Sequence, residues 1–213
     1  ADQGVTISAR GGINTILGSA FGDTITLGSG RDTVQAGSGA DTVLGTLSTG
    51  DVVQLQGGAD RFDYRALSAT GTIVDGGTGV DTLAYGGSAA KTINFGTATD
   101  NVAAETGVYR AFENLDAADA SGALTVTGAA ATTRIVTGDG NDVVNVAAAS
   151  GATFVDTGAG NDRVTGSARA DTVAYGPGSD IVDAAGGSDT LLVRAGAPAL
   201  TINFGVAAGV DQV

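Results

Sequence analysis

Several residue types are absent from this sequence of 213 residues. It contains no Cys, His, Met or Trp, and only 2 Pro, 4 Tyr and 6 Phe. Without Cys and His, disulfides, zinc-type sites and catalysis by a nucleophile paired with His are excluded. Any bound metal must therefore be a hard ion held by oxygen atoms. The shortage of aromatic residues favours a thin, repetitive core over a globular one.

Basic residues are also scarce, because 9 Arg and 1 Lys accompany 21 Asp and 2 Glu, for a formal net charge of −13. Nucleic acids and anionic lipids are bound through basic patches, so we expect neither as a partner. No apolar run approaches the ~20 residues of a membrane-spanning helix, so we expect no membrane insertion. The excess of Asp over Glu favours turns and cation ligation.

Asp recurs with a period of nine along much of the chain. Eleven Asp share one local context: Asp23, Asp32, Asp41, Asp51, Asp60, Asp81, Asp142, Asp162, Asp171, Asp180 and Asp189. The residue two positions after each Asp is always apolar: Ile25, Val34, Val43, Val53, Phe62, Leu83, Val144, Val164, Val173, Val182 and Leu191. This position predicts a buried column formed by one residue from each short strand.

Gly precedes most of these Asp residues at fixed spacings. Two residues before Asp it occurs at Gly30, Gly39, Gly58, Gly79, Gly140, Gly160, Gly178 and Gly187; four residues before, at Gly28, Gly37, Gly77, Gly138, Gly158 and Gly176. Gly at this density disfavours helices. The pattern predicts an all-β solenoid in which a turn and a short strand alternate, with two nonapeptides, or roughly 18 residues, in each coil of stacked parallel strands.

A longer repeat of about 120 residues is also visible, because Gly4–Ser8 (GVTIS) parallels Gly122–Thr127 (GALTVT) and Lys91–Gly96 (KTINFG) nearly coincides with Leu200–Gly205 (LTINFG). We therefore divide the chain into a first repeat unit at 1–119 and a second, truncated unit at 120–213. Residues 97–121 break the nonapeptide rhythm. For this spacer we expect a lateral loop or short helix, with an irregular β-coil as the alternative.

One segment, Gly76–Leu83 (GGTGVDTL), matches the nonapeptide pattern GGxGxDxUx. Gly28–Val34, Gly37–Val43, Gly138–Val144 and Gly158–Val164 resemble it with the first Gly replaced. About half of the chain thus resembles the RTX, or haemolysin-type calcium-binding, repeat family. Phe112–Ser121 is similar to spacers of very long RTX-like proteins. The resemblance implies a right-handed parallel β-roll that binds several Ca²⁺ ions between turns and is exported by a type I system.

Calcium takes about six to eight oxygen ligands, which Gly-loosened main-chain carbonyls and the Asp carboxylate of each turn can supply. The candidate metal-site residues are Asp32, Asp41, Asp60, Asp81, Asp142, Asp162, Asp180, Asp189, Gly28, Gly30, Gly37, Gly39, Gly77, Gly79, Gly138, Gly140, Gly158, Gly160, Gly176 and Gly178.

Each turn is half of a site, and its partner lies about 18 residues along the chain. This pairs Asp162 with Asp180, Asp171 with Asp189, and Asp23 with Asp41, of which the first pair is the best candidate. Two further pairs, Asp41 with Asp60 and Asp142 with Asp162, rank lower because extra residues separate them. The turns of Asp23, Asp51 and Asp171 lack the Gly two residues before Asp, which is called the nearer Gly below. Its absence weakens the case for calcium in these three turns.

For function, we expect a non-enzymatic, extracellular structural repeat of a bacterial adhesin, surface layer or matrix fibre, stiffened by calcium. Its expected partners are calcium, further copies of itself or neighbouring repeats of a longer chain, with a cell-surface glycan as another candidate. One alternative is the calcium-binding, secretion-associated module of an enzyme whose catalytic domain is outside this chain. Another is a face of Thr residues that binds sugar or ice.

Overall fold

Turns and short strands alternate along the described chain. The computed structural model describes residues 3–64, 70–194, 196 and 199–203, with the backbone alone at Tyr64 and 199–203. Within these residues all regular secondary structure is β, which confirms the expected fold class. The described part therefore has no helix long and apolar enough to cross a membrane.

The strands are short because each is a few residues between Gly- and Asp-containing turns. The first ten are β1 Thr6–Ser8, β2 Thr15–Leu17, β3 Thr24–Leu27, β4 Thr33–Ser38, β5 Thr42–Gly45, β6 Val52–Gly58, β7 Arg61–Tyr64, β8 Ile73–Asp75, β9 Thr78–Gly79 and β10 Thr82–Tyr85. The remainder are β11 Lys91–Asn94, β12 Val108–Arg110, β13 Asn114–Asp116, β14 Leu124–Thr127, β15 Arg134–Val136, β16 Val143–Asn145, β17 Phe154–Asp156, β18 Arg163–Thr165, β19 Thr172–Tyr175, β20 Ser179–Asp183, β21 Thr190–Val193 and β22 Ala199–Asn203.

Packing groups these strands into two compact units. The first comprises Ala1–Gly86 and Thr97–Phe112, and the second comprises Gly87–Gly96 and Glu113–Val213. In the first unit, one parallel sheet has the order β1-β3-β5-β7-β10 and another the order β12-β8-β6-β4-β2, with β9 also paired to β6. In the second unit, the orders are β13-β15-β17-β19-β21 and β11-β14-β16-β18-β20-β22. Each unit is therefore a parallel β-solenoid, as expected for a β-roll.

The register confirms two nonapeptides in each coil. Thr6 pairs with Thr24, and Thr24 pairs with Thr42. Aligned residues on neighbouring coils are 18 residues apart at the first repeats and 21 apart where the turns are longer. Consequently inward-pointing residues of paired strands stack on one another, as Val34 of β4 and Val53 of β6 do.

The predicted buried column is confirmed at ten of its eleven positions, where the side chain is at most 2% exposed. Leu191 is only half-buried, because β21 is the edge strand of its sheet. The second unit adds a row that the Asp register missed, formed by Leu115, Ile135 and Val155. In the coils of this row the position two residues before the apolar side chain is Glu or Thr.

The spacer contains no helix, so the expectation of a short helix is wrong: residues 97–107 connect strands, and the rest of the spacer contributes β12 and β13. Its strand β12 extends the sheet by pairing with β8. Asp100 Oδ1 accepts hydrogen bonds from the Val102 and Tyr109 N–H groups, 3.2 and 3.1 Å away. These bonds turn the chain so that the fully buried Tyr109 ring lies 6.4 Å from the Phe62 ring.

The two copies of the repeated hexapeptide lie at opposite edges of one sheet in the second unit. The first copy forms β11, which pairs with β14, and the second contributes to β22, which pairs with β20. The last residues of the second copy, 204 and 205, lie outside the described residues.

Replacing Phe62 by Ala tests the thin core of the first unit. Phe62 is 2% exposed and packs beside Tyr109, so Phe62→Ala should lower the free energy of unfolding by about 3–5 kcal/mol. Leu17→Ala is the matched control: Leu17 is 65% exposed, and its loss should change stability by no more than about 0.5 kcal/mol. Urea unfolding in saturating calcium measures both changes. Equal effects of the two substitutions would contradict the inward stacking.

Candidate metal sites in the turns

Each repeat Asp lies where a turn enters a strand, and its carboxylate joins two coils. Oδ1 accepts a hydrogen bond from the backbone N–H of the residue at the same place one coil earlier. The Asp162 N–H donates to Asp180 Oδ1 at 2.9 Å, and the Asp142 N–H donates to Asp162 Oδ1 at 2.9 Å. In the first unit, the Asp41 N–H donates to Asp60 Oδ1 at 2.8 Å. The carboxylates therefore form stacks that run from coil to coil within each unit.

Four such stacks run through the two units. Their members are Asp23, Asp41, Asp60 and Asp81; Asp32 and Asp51; Asp142, Asp162 and Asp180; and Asp171 and Asp189. The three pairs predicted at 18-residue spacing are therefore neighbours. The two lower-ranked pairs are also in direct contact, at separations of 19 and 20 residues, so the extra residues do not separate their turns.

The second carboxylate oxygen distinguishes two kinds of turn. In six turns, Oδ2 is buried and makes no hydrogen bond within the described structure: those of Asp32, Asp41, Asp60, Asp142, Asp162 and Asp180. A buried carboxylate oxygen without a donor is energetically costly. These six are called open turns below. A hard cation would supply the missing partner.

In the other kind of turn, a Ser closes the carboxylate. The Ser19 N–H donates to Asp23 Oδ2 at 2.5 Å, the Ser48 N–H to Asp51 Oδ2 at 2.6 Å, and the Ser167 N–H to Asp171 Oδ2 at 2.6 Å. These three are called closed turns below, and they are the turns that lack the nearer Gly. Sequence reasoning identified these turns as weaker calcium candidates, but it missed the Ser whose N–H donates to Oδ2.

The nearer Gly is required by both conformation and space. Gly160 has φ 141°, and a Cβ added there would lie 1.7 Å from the Gly140 carbonyl oxygen of the preceding coil. All eight Gly at this position have positive φ: Gly30, Gly39, Gly58, Gly79, Gly140, Gly160, Gly178 and Gly187. Turns of adjacent coils therefore approach closely through backbone atoms, including carbonyl oxygens.

The farther Gly, four residues before Asp, is also required by space. At all six of these Gly an added Cβ would lie 1.9 to 2.3 Å from a carbonyl oxygen of another coil. Three of them, Gly37, Gly77 and Gly158, also have positive φ. Two turns adopt the left-handed conformation without Gly, at Gln56 (φ 75°) and Ala185 (φ 63°). The Gly pattern therefore understates how many turns share this geometry.

The donor set of a site in these turns would be mixed. The described residues contain no group of three or more Asp or Glu side chains that could hold a metal ion. Carboxylates from two stacked turns would therefore need main-chain carbonyl oxygens as further ligands, a set that suits calcium. The unpartnered Oδ2 atoms and the close Gly backbones fit that ion. Ligation by the individual residues stays a prediction.

Comparison with protein families agrees with this donor chemistry. The family model of the RTX calcium-binding nonapeptide repeat matches four copies, at residues 8–43 and 156–191. The chain carries RTX calcium-binding nonapeptide repeats. The matched segments cover about a third of the chain and contain open and closed turns alike. Asp60 and Asp142 lie outside them, but they have the same stacked, open geometry. A search of curated proteins found no match.

Burial and like charge raise the pKa of most carboxylates in the repeat turns. The pKa of Asp60 is raised to about 7, first by burial and then by the charges of Asp81 and Asp41, although the Asp41 N–H opposes this shift. The pKa of Asp162 is raised to about 6, again mainly by burial. The pKa is raised in the same direction at Asp41, Asp81, Asp142, Asp180 and Asp189.

The closed turn of Asp23 behaves in the opposite way. Burial would raise the pKa of Asp23, but hydrogen bonds from the Val5 N–H and from the Ser19 N–H and hydroxyl together lower it. This closed turn thus stabilises its charged carboxylate with protein donors. The open turns of Asp60 and Asp162 disfavour the charge as long as no cation is bound.

The pH dependence of the metal-free protein follows from these shifts. Between pH 4 and 7 the folded state binds more protons than the unfolded state, because the folded pKa values of Asp60 and Asp162 lie above the ordinary 3.8. The metal-free chain should therefore hold more β-structure at pH 5 than at pH 8. Circular dichroism in calcium-free buffer measures this, and Asp162→Asn should reduce the difference. A β-structure content that increases from pH 5 to pH 8 would contradict the assignment.

Gly160→Ala tests the close approach of turns. The substitution places a Cβ against the Gly140 carbonyl at a left-handed φ, so we expect a loss of at least about 2 kcal/mol of stability. Gly151→Ala is the matched control, since a Cβ there has nothing within 4 Å. Denaturation in saturating calcium compares them. A Gly160→Ala variant as stable as the control would show that the turns are farther apart.

Proposed function

We propose that this chain is a calcium-stabilised structural repeat of an extracellular bacterial adhesin, surface layer or matrix fibre. The observation that carries the proposal is the set of six buried Asp Oδ2 atoms without a hydrogen bond, each on an Asp stacked against an adjacent coil. The RTX match independently associates this repeat with calcium.

Calcium would act by neutralising carboxylates that the fold buries next to one another. In the best candidate site, the Asp162 and Asp180 carboxylates would hold the ion together with carbonyls of their Gly-containing turns. Without the ion, the stacked carboxylates repel one another in a chain of net charge −13. Binding therefore contributes directly to the free energy of folding.

An extracellular location is supported by the calcium level that such sites require. Extracellular calcium modules commonly have dissociation constants of about 10⁻⁴–10⁻³ M for calcium. Such sites bind calcium too weakly to be filled at the calcium concentration of the cytosol. Low cytosolic calcium would keep the chain expanded for export, and the calcium outside the cell would fold it. This would make folding a consequence of secretion.

The self-association part of the proposal is supported by sheet edges in each unit. Strand β2 is the edge of its sheet in the first unit, and Leu17 on it is 65% exposed. Strand β21 is the edge of its described sheet in the second unit, and Val193 on it is 66% exposed. Edges that carry exposed apolar side chains favour pairing with another copy or a neighbouring repeat.

The third sequence-based alternative, a Thr face that binds sugar or ice, has less support. The row on the outer face of the first unit runs Thr6, Thr24, Thr42, Arg61 and Thr82. Arg61 therefore interrupts the ladder after three Thr. We do not propose a glycan or ice partner for this face.

Calcium titration tests the proposal. In chelator the chain should have a larger hydrodynamic radius and less β-structure, and millimolar calcium should restore both. Asp162→Asn should weaken calcium binding on the order of tenfold, since ligand charge sets affinity. Asp63→Asn is the charge-matched control, because Asp63 lies in strand β7, outside the Gly-containing turns. Circular dichroism and dynamic light scattering measure the changes.

Two results would contradict parts of the proposal. Full β-structure in excess chelator would overturn calcium-linked folding. A strictly monomeric species in calcium, measured by sedimentation velocity over a wide concentration range, would overturn self-association and would favour the secretion-associated module of an enzyme.

A further inference from the structure

The closed turns saturate their carboxylates with protein donors. Asp171 Oδ1 accepts the Thr153 N–H of the preceding coil at 2.8 Å. Its Oδ2 accepts the Ser167 N–H at 2.6 Å and the Ser167 hydroxyl at 2.9 Å. Both oxygens of this buried carboxylate therefore have partners, so a cation is not needed to compensate its burial.

The closed turn of Asp23 repeats this arrangement. Its Oδ1 accepts the Val5 N–H at 2.6 Å and the Ser19 hydroxyl at 2.9 Å, and its Oδ2 accepts the Ser19 N–H at 2.5 Å. In both turns the Ser is four residues before Asp, where open turns usually have Gly. One Ser thus supplies two donors to the carboxylate of its own turn.

The turn of Asp51 reaches the same result from a different position. Its Oδ1 accepts the Asp32 N–H at 2.7 Å, and its Oδ2 accepts the N–H of Ser48, three residues earlier, at 2.6 Å. The Ser48 hydroxyl instead accepts the Gly30 N–H of the preceding coil at 3.1 Å. This Ser therefore closes its own turn and also joins it to the turn of the preceding coil.

The backbone changes together with the Ser. Phe21, Thr49 and Arg169 occupy the position of the nearer Gly, and none of them has a positive φ. The corresponding Gly in the turns of Asp41, Asp162 and Asp180 are all left-handed. Without the left-handed residue, the turn brings the Ser N–H onto Oδ2 and leaves no unsatisfied oxygen there.

From these contacts we infer that the turns of Asp23, Asp51 and Asp171 are calcium-independent clamps, in which a Ser of the same turn replaces the cation. The inference rests on the proposed function for the open turns. It assigns calcium to the open turns alone, such as those of the Asp142, Asp162 and Asp180 stack. In the three clamps, hydrogen bonds to the carboxylate hold neighbouring coils together without metal.

Counting bound calcium ions tests this inference. Isothermal titration calorimetry and native mass spectrometry should give Asp171→Asn the same number of ions as the unmodified protein, whereas Asp162→Asn should lose at least one. Circular dichroism in saturating calcium establishes that each variant is folded. Loss of an ion in Asp171→Asn would overturn the inference and leave the proposed function intact. No calcium binding by the unmodified protein would overturn the proposed function instead.

A converted turn provides a second test. The double variant Ser167→Gly with Arg169→Gly restores Gly-x-Gly-x-Asp before Asp171, next to the turn of Asp189, and should gain one calcium ion. Ala168→Gly in the same turn is the control and should gain none, because Ser167 still closes the carboxylate. An unchanged ion count in the folded double variant would show that Ser is not what excludes calcium, and would overturn the inference.

The clamp also predicts a loss of stability without a loss of metal. Ser167→Ala removes the hydroxyl donor but keeps the N–H donor, so in saturating calcium it should lower the urea midpoint while its calcium count stays unchanged. Ser150→Ala is the control, because its hydroxyl donates to the Ala130 carbonyl and not to a repeat Asp. A Ser167→Ala variant with the same urea midpoint as this control would contradict the clamp.

Discussion

The structure depends on one contact: the carboxylate of each repeat Asp accepts the backbone N–H of the residue stacked on it one coil earlier. This bond fixes the height of each turn against its neighbour, as in the 2.9 Å contact between the Asp162 N–H and Asp180. It also buries the carboxylate, because the turn above covers it. The second oxygen then needs a partner from elsewhere, and the identity of that partner separates open from closed turns.

The other features follow from bringing turns this close. Left-handed Gly, such as Gly160, leave room for carbonyl oxygens of the adjacent turn, where any Cβ would collide. Stacked carboxylates raise one another's pKa, most clearly at Asp60, so charge must be neutralised by protons or by a cation. The apolar column between the sheets is thin, so we expect the contacts between stacked turns to contribute a large share of the stability. Since calcium would neutralise the carboxylates in these turns, we expect folding to depend on calcium.

The sequence predicted the coil well because burial and turn geometry repeat together with Asp. Phe62 and Val164 could be placed in the core from spacing alone, and both are buried. The row of Leu115, Ile135 and Val155 was missed because Glu or Thr, and not Asp, lies two residues before each of them. The Ser closures were also missed, since a backbone N–H carries no sequence signature and reaches Oδ2 only in one turn conformation. The spacer was harder, because its shape depends on Asp100 capping distant N–H groups.

The most direct test of the central claim is a crystal structure of the chain grown in calcium, with anomalous scattering used to locate the ions. The account predicts a calcium peak about 2.3–2.6 Å from the Oδ2 atoms of Asp162 and Asp180, with main-chain carbonyls of the same turns completing its shell. Water alone at these oxygens under saturating calcium, or turns of Asp162 and Asp180 that lie apart, would contradict it.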